Sequence, residues 1–120
     1  MARVLVIDDE KDIREVISEY LTKNGYDVSI ASNGKEAFHI INENIPDVVI
    51  TDLIMPEKEG IETILELKKN FKNIKIIAMS GGGIIGADSY LSIAEKLGIH
   101  KAFAKPFRIN ELLNAVSDAS

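Results

Sequence analysis

Asp52 ends the apolar run Asp47-Val48-Val49-Ile50-Thr51-Asp52 and is followed by Leu53-Ile54-Met55-Pro56. A carboxylate in that position sits where a buried strand leaves the core and meets solvent. The run Val4-Leu5-Val6-Ile7 ends the same way, in Asp8-Asp9-Glu10. A third run, Ile74 to Met79, ends in Ser80, and Ala102-Phe103-Ala104 ends in Lys105-Pro106. If the four runs are parallel neighbours, one rim gathers the carboxylates of Asp8, Asp9 and Asp52 with a hydroxyl and an ammonium. Such a rim can bind a divalent cation and transfer a charged group, and open parallel sheets bind their ligands at the carboxyl ends of strands.

Each residue also has a plainer use. Asp8 or Asp9 alone could cap the next helix, where aspartate is favoured. Ser80, before glycines, could be a turn residue, and Lys105 alone could be an ordinary surface lysine. Taken together the acids repel one another, and a hard cation among them relieves that repulsion. Mg2+ suits one or two carboxylates plus waters. Asp52 is then either a ligand or a nucleophile, since carboxylates form aspartyl phosphates. Lys105 is the natural counter-ion for the same charge, between an apolar strand and a proline, and Ser80 offers a hydroxyl donor.

The elements that must position these groups alternate along the chain. Ile13, Val16, Ile17, Tyr20 and Leu21 share one helical face, and Asn24-Gly25 stops that helix. Residues 26–31 read as a second strand. Asn33-Gly34 opens a helix with Ala37, Phe38, Ile40 and Ile41, ending before Pro46. Pro56 leads into a helix with Ile61, Ile64, Leu65 and Phe71. A glycine-rich loop after Ser80 precedes a helix with Tyr90, Ile93, Ala94 and Leu97, stopped by Gly98. Residues 99–104 form the fifth strand, and a last helix carries Ile109, Leu112, Leu113 and Val116. The pattern is five βα units whose strands are apolar on both faces, as buried parallel strands are. Right-handed crossovers make this an α/β protein with helices on both sides of one sheet.

Length fits one domain over residues 1–120, with no room for an attached output domain after the last helix. The chain has no cysteine, which excludes disulfides and thiolate metal sites and suits a reducing cytoplasmic setting. Nineteen acidic against 14 basic residues give a net charge of −5, which argues against direct nucleic-acid binding. No stretch is long and apolar enough for a membrane, and no signal peptide precedes the first strand. Gly81-Gly82-Gly83-Ile84-Ile85-Gly86 matches a dinucleotide fingerprint in letters only. It is not in the first βα turn, and Lys105-Pro106 stands where the acid should follow, so it reads as a loop. His39 and His100 lack partners at metal spacing, Met55 reads as a packing residue, and the lysines at 68, 69 and 72 suit a helix end.

The set Asp8-Asp9, Asp52 with Met55-Pro56, Ser80 and Lys105-Pro106-Phe107 resembles the receiver (CheY-like) domain of bacterial two-component response regulators, from Arg3 to Ser117. The resemblance implies a flavodoxin-like doubly wound fold with strand order 2-1-3-4-5. It implies that Asp52 accepts a phosphoryl group from a sensor histidine kinase or histidine phosphotransfer protein and that a downstream protein target reads the result. Mg2+ would be held by Asp9, Asp52 and the Ile54 backbone carbonyl, with Asp8 acting through water. Lys105 would pair with Asp52 or its phosphate, Ser80 would bond a phosphoryl oxygen, and the Lys105-Pro106 bond would be cis. The sequence departs from the pattern in two places. Ala102 stands where many receivers carry a switching aromatic residue, and Phe103 should face the opposite side of the strand. The segment between Ser80 and Gly98 looks about three residues longer than is usual for the family, and its glycines make it loose. The competing function is a small Mg2+-dependent phosphotransferase or phosphatase acting on a separate substrate. That reading needs a substrate pocket and usually a cap or insertion, whereas the loops here are short.

Overall fold

Valine and isoleucine dominate the strand runs because branched side chains pack well on a pleated, buried surface. The computed structural model describes residues 2–53, 59–80, 92, 95–105 and 107–120, and the backbone alone at Glu59. The strands are β1 (Arg3–Ile7), β2 (Asp27–Ala31), β3 (Val48–Asp52), β4 (Lys75–Ser80) and β5 (Lys101–Ala104). Among the described residues the helices include α1 (Lys11–Lys23), α2 (Gly34–Glu43), α3 (Glu59–Asn70) and α4 (Ile109–Ala119). All strand pairs are parallel, in the order β2-β1-β3-β4-β5. This is the flavodoxin-like arrangement expected. The glycine loop after Ser80 and the residues Tyr90, Ile93 and Ala94 of the expected helix lie outside the described residues.

Strand alternation splits the core in two. Leu5, Ile7, Val49, Ile76 and Ala78 face α2 and α3, where Ala37, Ile41, Ile64 and Leu67 close over them. Val4, Val6, Val48, Ile50, Ile77 and Met79 face the other way, against Ile17 and Leu21 of α1 and Leu112 and Val116 of α4. Each fully buried aliphatic side chain contributes about 2 kcal/mol relative to exposure. Two expectations need correction. β2 is an edge strand, so Asp27, Ser29 and Ile30 are exposed and it is not apolar on both faces. Val16 and Tyr20, placed with the buried face of α1, are 50% and 43% exposed. The sheet covers a narrower stripe of the helix than the apolar residues span, and Ile61 and Leu65 of α3 are left out for the same reason.

The strand ends are pinned beyond the strands themselves. Asp8 N–H donates to the Ala31 carbonyl at 3.1 Å, Leu53 N–H to Met79 at 2.6 Å and Lys105 N–H to Ser80 at 2.8 Å. Each bond carries the ladder one residue past a strand end, so the rim residues inherit the rigidity of the sheet. At the start of α2, the Asn33 side chain accepts from Glu36 N–H at 2.9 Å. The Glu36 carboxylate reaches back to the Ser32 N–H at 3.1 Å and its hydroxyl at 2.7 Å. This reciprocal arrangement satisfies donors that the first helical turn leaves free.

Gly60 stands in the first turn of α3 against the end of β3. A Cβ there would overlap the carbonyl oxygens of Asp52 and Leu53, the second at 2.5 Å. Both obstacles are backbone and cannot rotate away. An alanine in a helix ordinarily gains about 1 kcal/mol over glycine. Here the sign should reverse: Gly60→Ala should lower stability by about 1–3 kcal/mol, the usual cost of overpacking. Urea unfolding measures it, and an unchanged or raised midpoint would refute the close approach.

Glu36 supplies a pH test. The Ser32 hydroxyl and amide donate to its carboxylate and hold its pKa below the ordinary glutamate value, outweighing the opposing effect of burial. A depressed pKa contributes stability above the unfolded value of about 4.3 and loses it as pH falls through the folded one. Wild type should therefore lose stability faster than Glu36→Gln on acidification below about pH 4.3. Parallel stability curves for the two proteins would count against the cap.

Candidate functional site

Asp8 and Asp52 are carried by adjacent strands, β1 and β3, and both are buried, at 0% and 4% exposure. Burying two carboxylates in one place is costly unless a cation is shared between them. The shared cation is Lys105. Its Nζ lies 2.7 Å from Asp8 Oδ2 and 3.1 Å from Asp52 Oδ2, with Glu10 Oε1 at 3.6 Å. Burial alone would lower the Lys105 pKa. The hydrogen bond to Asp8 and the charges of Asp52 and Asp8 outweigh that effect and hold it above the ordinary lysine value.

Asp8 is fixed at every polar atom. Its N–H donates to Ala31, Oδ1 accepts from Glu10 N–H at 2.8 Å, Oδ2 accepts from Lys105, and its carbonyl accepts from the Arg14 guanidinium at 2.6 Å. Asp8 is therefore not the helix cap that the plainer reading allowed. The N-cap of α1 is Glu10, whose side chain makes no capping bond. Asp9 is the opposite case. It is exposed, and among the described residues its carboxylate makes no hydrogen bond or ion pair. Oxygens of Asp8, Asp9, Glu10 and Asp52 lie within 4.8 Å of one another.

Ser80 sits at the end of β4, 1% exposed, and its hydroxyl has no hydrogen-bond partner among the described residues. A buried polar atom without a partner costs free energy, so an acceptor that reached this hydroxyl would be favoured. The structure thus brings Asp8, Asp9, Asp52, Ser80 and Lys105 to one rim. The Ile54 carbonyl, Met55, Pro56 and the Lys105-Pro106 bond lie outside the described residues. His39 pairs with Glu43 at 3.7 Å, well away from the rim acids.

Phe107, quoted with the Lys105-Pro106 motif, lies near Phe103 with ring centres 6.1 Å apart and the rings tilted by 43°. Three contributors were not assigned from sequence: Glu10 reaches Lys105, Arg14 holds the Asp8 carbonyl, and Gly60 lets α3 approach Asp52. Glu10 directly follows the acidic pair, which was the available signal. The others depend on close approach in space. Beside the site, a mostly apolar groove of about 510 Å3 runs between α1 and α4. Ile13, Val16, Phe107 and Ile109 line it, with Glu10 and Lys105 at the charged end. Phe103 faces α1 and α4 while Ala102 packs on the opposite face, as strand alternation requires.

Removing the shared cation leaves the buried Asp8 and Asp52 carboxylates without the ammonium that lies between them. In chelator at neutral pH, Lys105→Met should cost about 3 kcal/mol, as breaking a buried pair does. Because the folded pKa of Lys105 is raised, its contribution is full below the unfolded value of about 10.4 and declines above it. The stability gap between wild type and variant should therefore narrow on raising pH past about 10.4. Chemical denaturation across that range checks both statements; a negligible gap at neutral pH would refute the pairing.

The family model for the response regulator receiver domain matches residues 4–117. The chain is 40% identical over 119 residues to the chemotaxis protein CheY of Thermotoga maritima, covering 96% of this chain and 97% of that one. It is 34% identical over 114 residues to sporulation initiation phosphotransferase F of Bacillus subtilis, covering 95% and 90%. Among solved structures, the response regulator TrrA of Thermotoga maritima, crystallised with Mg(2+)-BeF, superposes with a TM-score of 0.83 at 33% identity over the whole of both chains. With the parallel sheet and the Asp8–Lys105–Asp52 cluster, these likenesses place the chain in the response regulator receiver domain family, as a phosphorylatable signalling receiver of two-component systems.

Proposed function

We propose that Asp52 is the phosphoryl acceptor, that Mg2+ is its cofactor and that the donor is a histidine kinase or histidine phosphotransfer protein. One observation carries the reading: Asp52 is a buried carboxylate held on a rigid strand end by a lysine that a second carboxylate shares. A nucleophile needs a fixed position and a cation ready for the charge that arrives, and this arrangement supplies both.

The donor set fits the metal. It consists of carboxylate oxygens with no histidine or cysteine among them, which suits a hard cation. Asp9 and Asp52 would hold it directly, with the Ile54 carbonyl. Asp8 would act through water, because both its carboxylate oxygens are already engaged. Bound there, Mg2+ neutralises charge on the phosphoryl oxygens. An Asp52 oxygen attacks phosphorus, forming the O–P bond as the histidine N–P bond breaks, and the imidazole leaves with the bonding pair. The Lys105 ammonium, protonated throughout, exchanges Asp52 for a phosphoryl oxygen. The Ser80 hydroxyl donates to another.

The apolar groove beside Lys105 supports a protein as the phosphoryl source. Ala102 leaves no aromatic side chain at the usual switching position, so the change passes to a downstream protein target through the segment after Ser80. The net charge of −5 argues against a nucleic-acid target, and the cysteine-free sequence suits a reducing, cytoplasmic setting.

Asp52→Asn keeps the shape but removes the nucleophile. Incubated with acetyl phosphate and Mg2+, wild type should gain one phosphoryl mass and the variant none, by intact-protein mass spectrometry. Full modification of the Asn protein would place the acceptor elsewhere. Steady turnover of unrelated phosphoesters by wild type would favour the phosphatase reading.

A further inference from the structure

Arg14 lies on α1, outside the set of groups that would touch metal or phosphate, yet it is half-buried and aimed at the site. Its guanidinium donates to the Asp8 carbonyl at 2.6 Å. That carbonyl belongs to the peptide joining Asp8 to Asp9, so its direction sets the plane from which Asp9 departs. The other atoms of Asp8 are held by Ala31, Glu10 and Lys105, none of which constrains this peptide from the carbonyl side. Asp9 itself has no partner among the described residues to fix it. Arg14 is therefore the side chain that orients the free acid.

We propose that Arg14 is a positioning residue that clamps the Asp8–Asp9 peptide and thereby aims the Asp9 carboxylate into the cation site. The inference rests on the reading of Asp9 as a direct Mg2+ ligand. A charge-only role makes the opposite prediction. Arg14 is a cation beside a cation site, so its loss would remove repulsion and tighten Mg2+. Loss of a clamp leaves the ligand free to wander and weakens Mg2+ instead.

Arg14→Met keeps the apolar stem without a donor, Arg14→Gln keeps a polar end too short to reach, and Arg14→Lys restores a charged donor. Calorimetric Mg2+ titration of the full chain should show affinity weakened about tenfold in the Met and Gln variants, the low end for partners that orient a metal ligand. The Lys variant should recover most of the loss. With acetyl phosphate, the Mg2+ concentration for half-maximal phosphorylation should rise by the same factor while the rate at saturating Mg2+ stays within about twofold. Unchanged or tighter Mg2+ in the neutral variants overturns the clamp, as does a loss that Lys fails to recover. Should Met unfold the chain, Gln decides alone. Failure of wild type to bind Mg2+, or phosphorylation of Asp52→Asn, would instead overturn the parent reading.

Discussion

Two buried carboxylates sharing one ammonium is the arrangement on which the rest of this molecule depends. Lys105 sits 2.7 Å from Asp8 and 3.1 Å from Asp52, and both acids are shielded from water. Taking such charges out of solvent costs several kcal/mol per ion, and their attraction repays it only with good geometry. A hydrophobic core would have been a cheaper way to fill the same space. The ladder bonds that extend past β1, β3 and β5 make sense against this cost. They hold the charged atoms at separations where the pairing is worth most. The same rigidity leaves the acids in excess. Among the described residues, the acids Asp8, Asp9, Glu10 and Asp52 outnumber the nearby cations Lys105 and Arg14, so a further positive charge is favoured where Asp9 stands open.

Much of this was legible in the sequence because its signals are local. A carboxylate, a hydroxyl or a lysine closing an apolar run announces a strand end, and the parallel order then brings Asp8, Asp52, Ser80 and Lys105 together. The resemblance to a receiver supplied the strand order and roles that runs alone leave open. What escaped was contact across the chain. Gly60 looks like an indifferent helix residue until the backbone of Asp52 and Leu53 is seen against it. Arg14 looks like one more charged position on an exposed helix face until its guanidinium meets the Asp8 carbonyl. Val16 and Tyr20 misled for a related reason: periodicity reports which side chains share a face, while the width of the covering surface decides which are buried.

The two sides of the sheet also bear differently on signalling. Phe103 is wedged on the α1 and α4 side, near the Phe107 ring and beneath the Lys101 ammonium at 5.3 Å. Turning it would disturb a packed core. Ala102, on the opposite side, has no rotor to turn. The strand that carries Lys105 is thus stiff on one face and featureless on the other, which makes it a poor conduit for a side-chain rearrangement. Ser80 is different. It is buried, unpartnered among the described residues, and the last residue of its strand. A new acceptor at this hydroxyl would change the energetics of the chain that follows without repacking either core. The absence of an aromatic switch in β5 and the open bonding capacity at the end of β4 point in one direction. The hydroxyl at the end of β4, rather than a side chain of β5, is where a charge brought to the site would find a new bond.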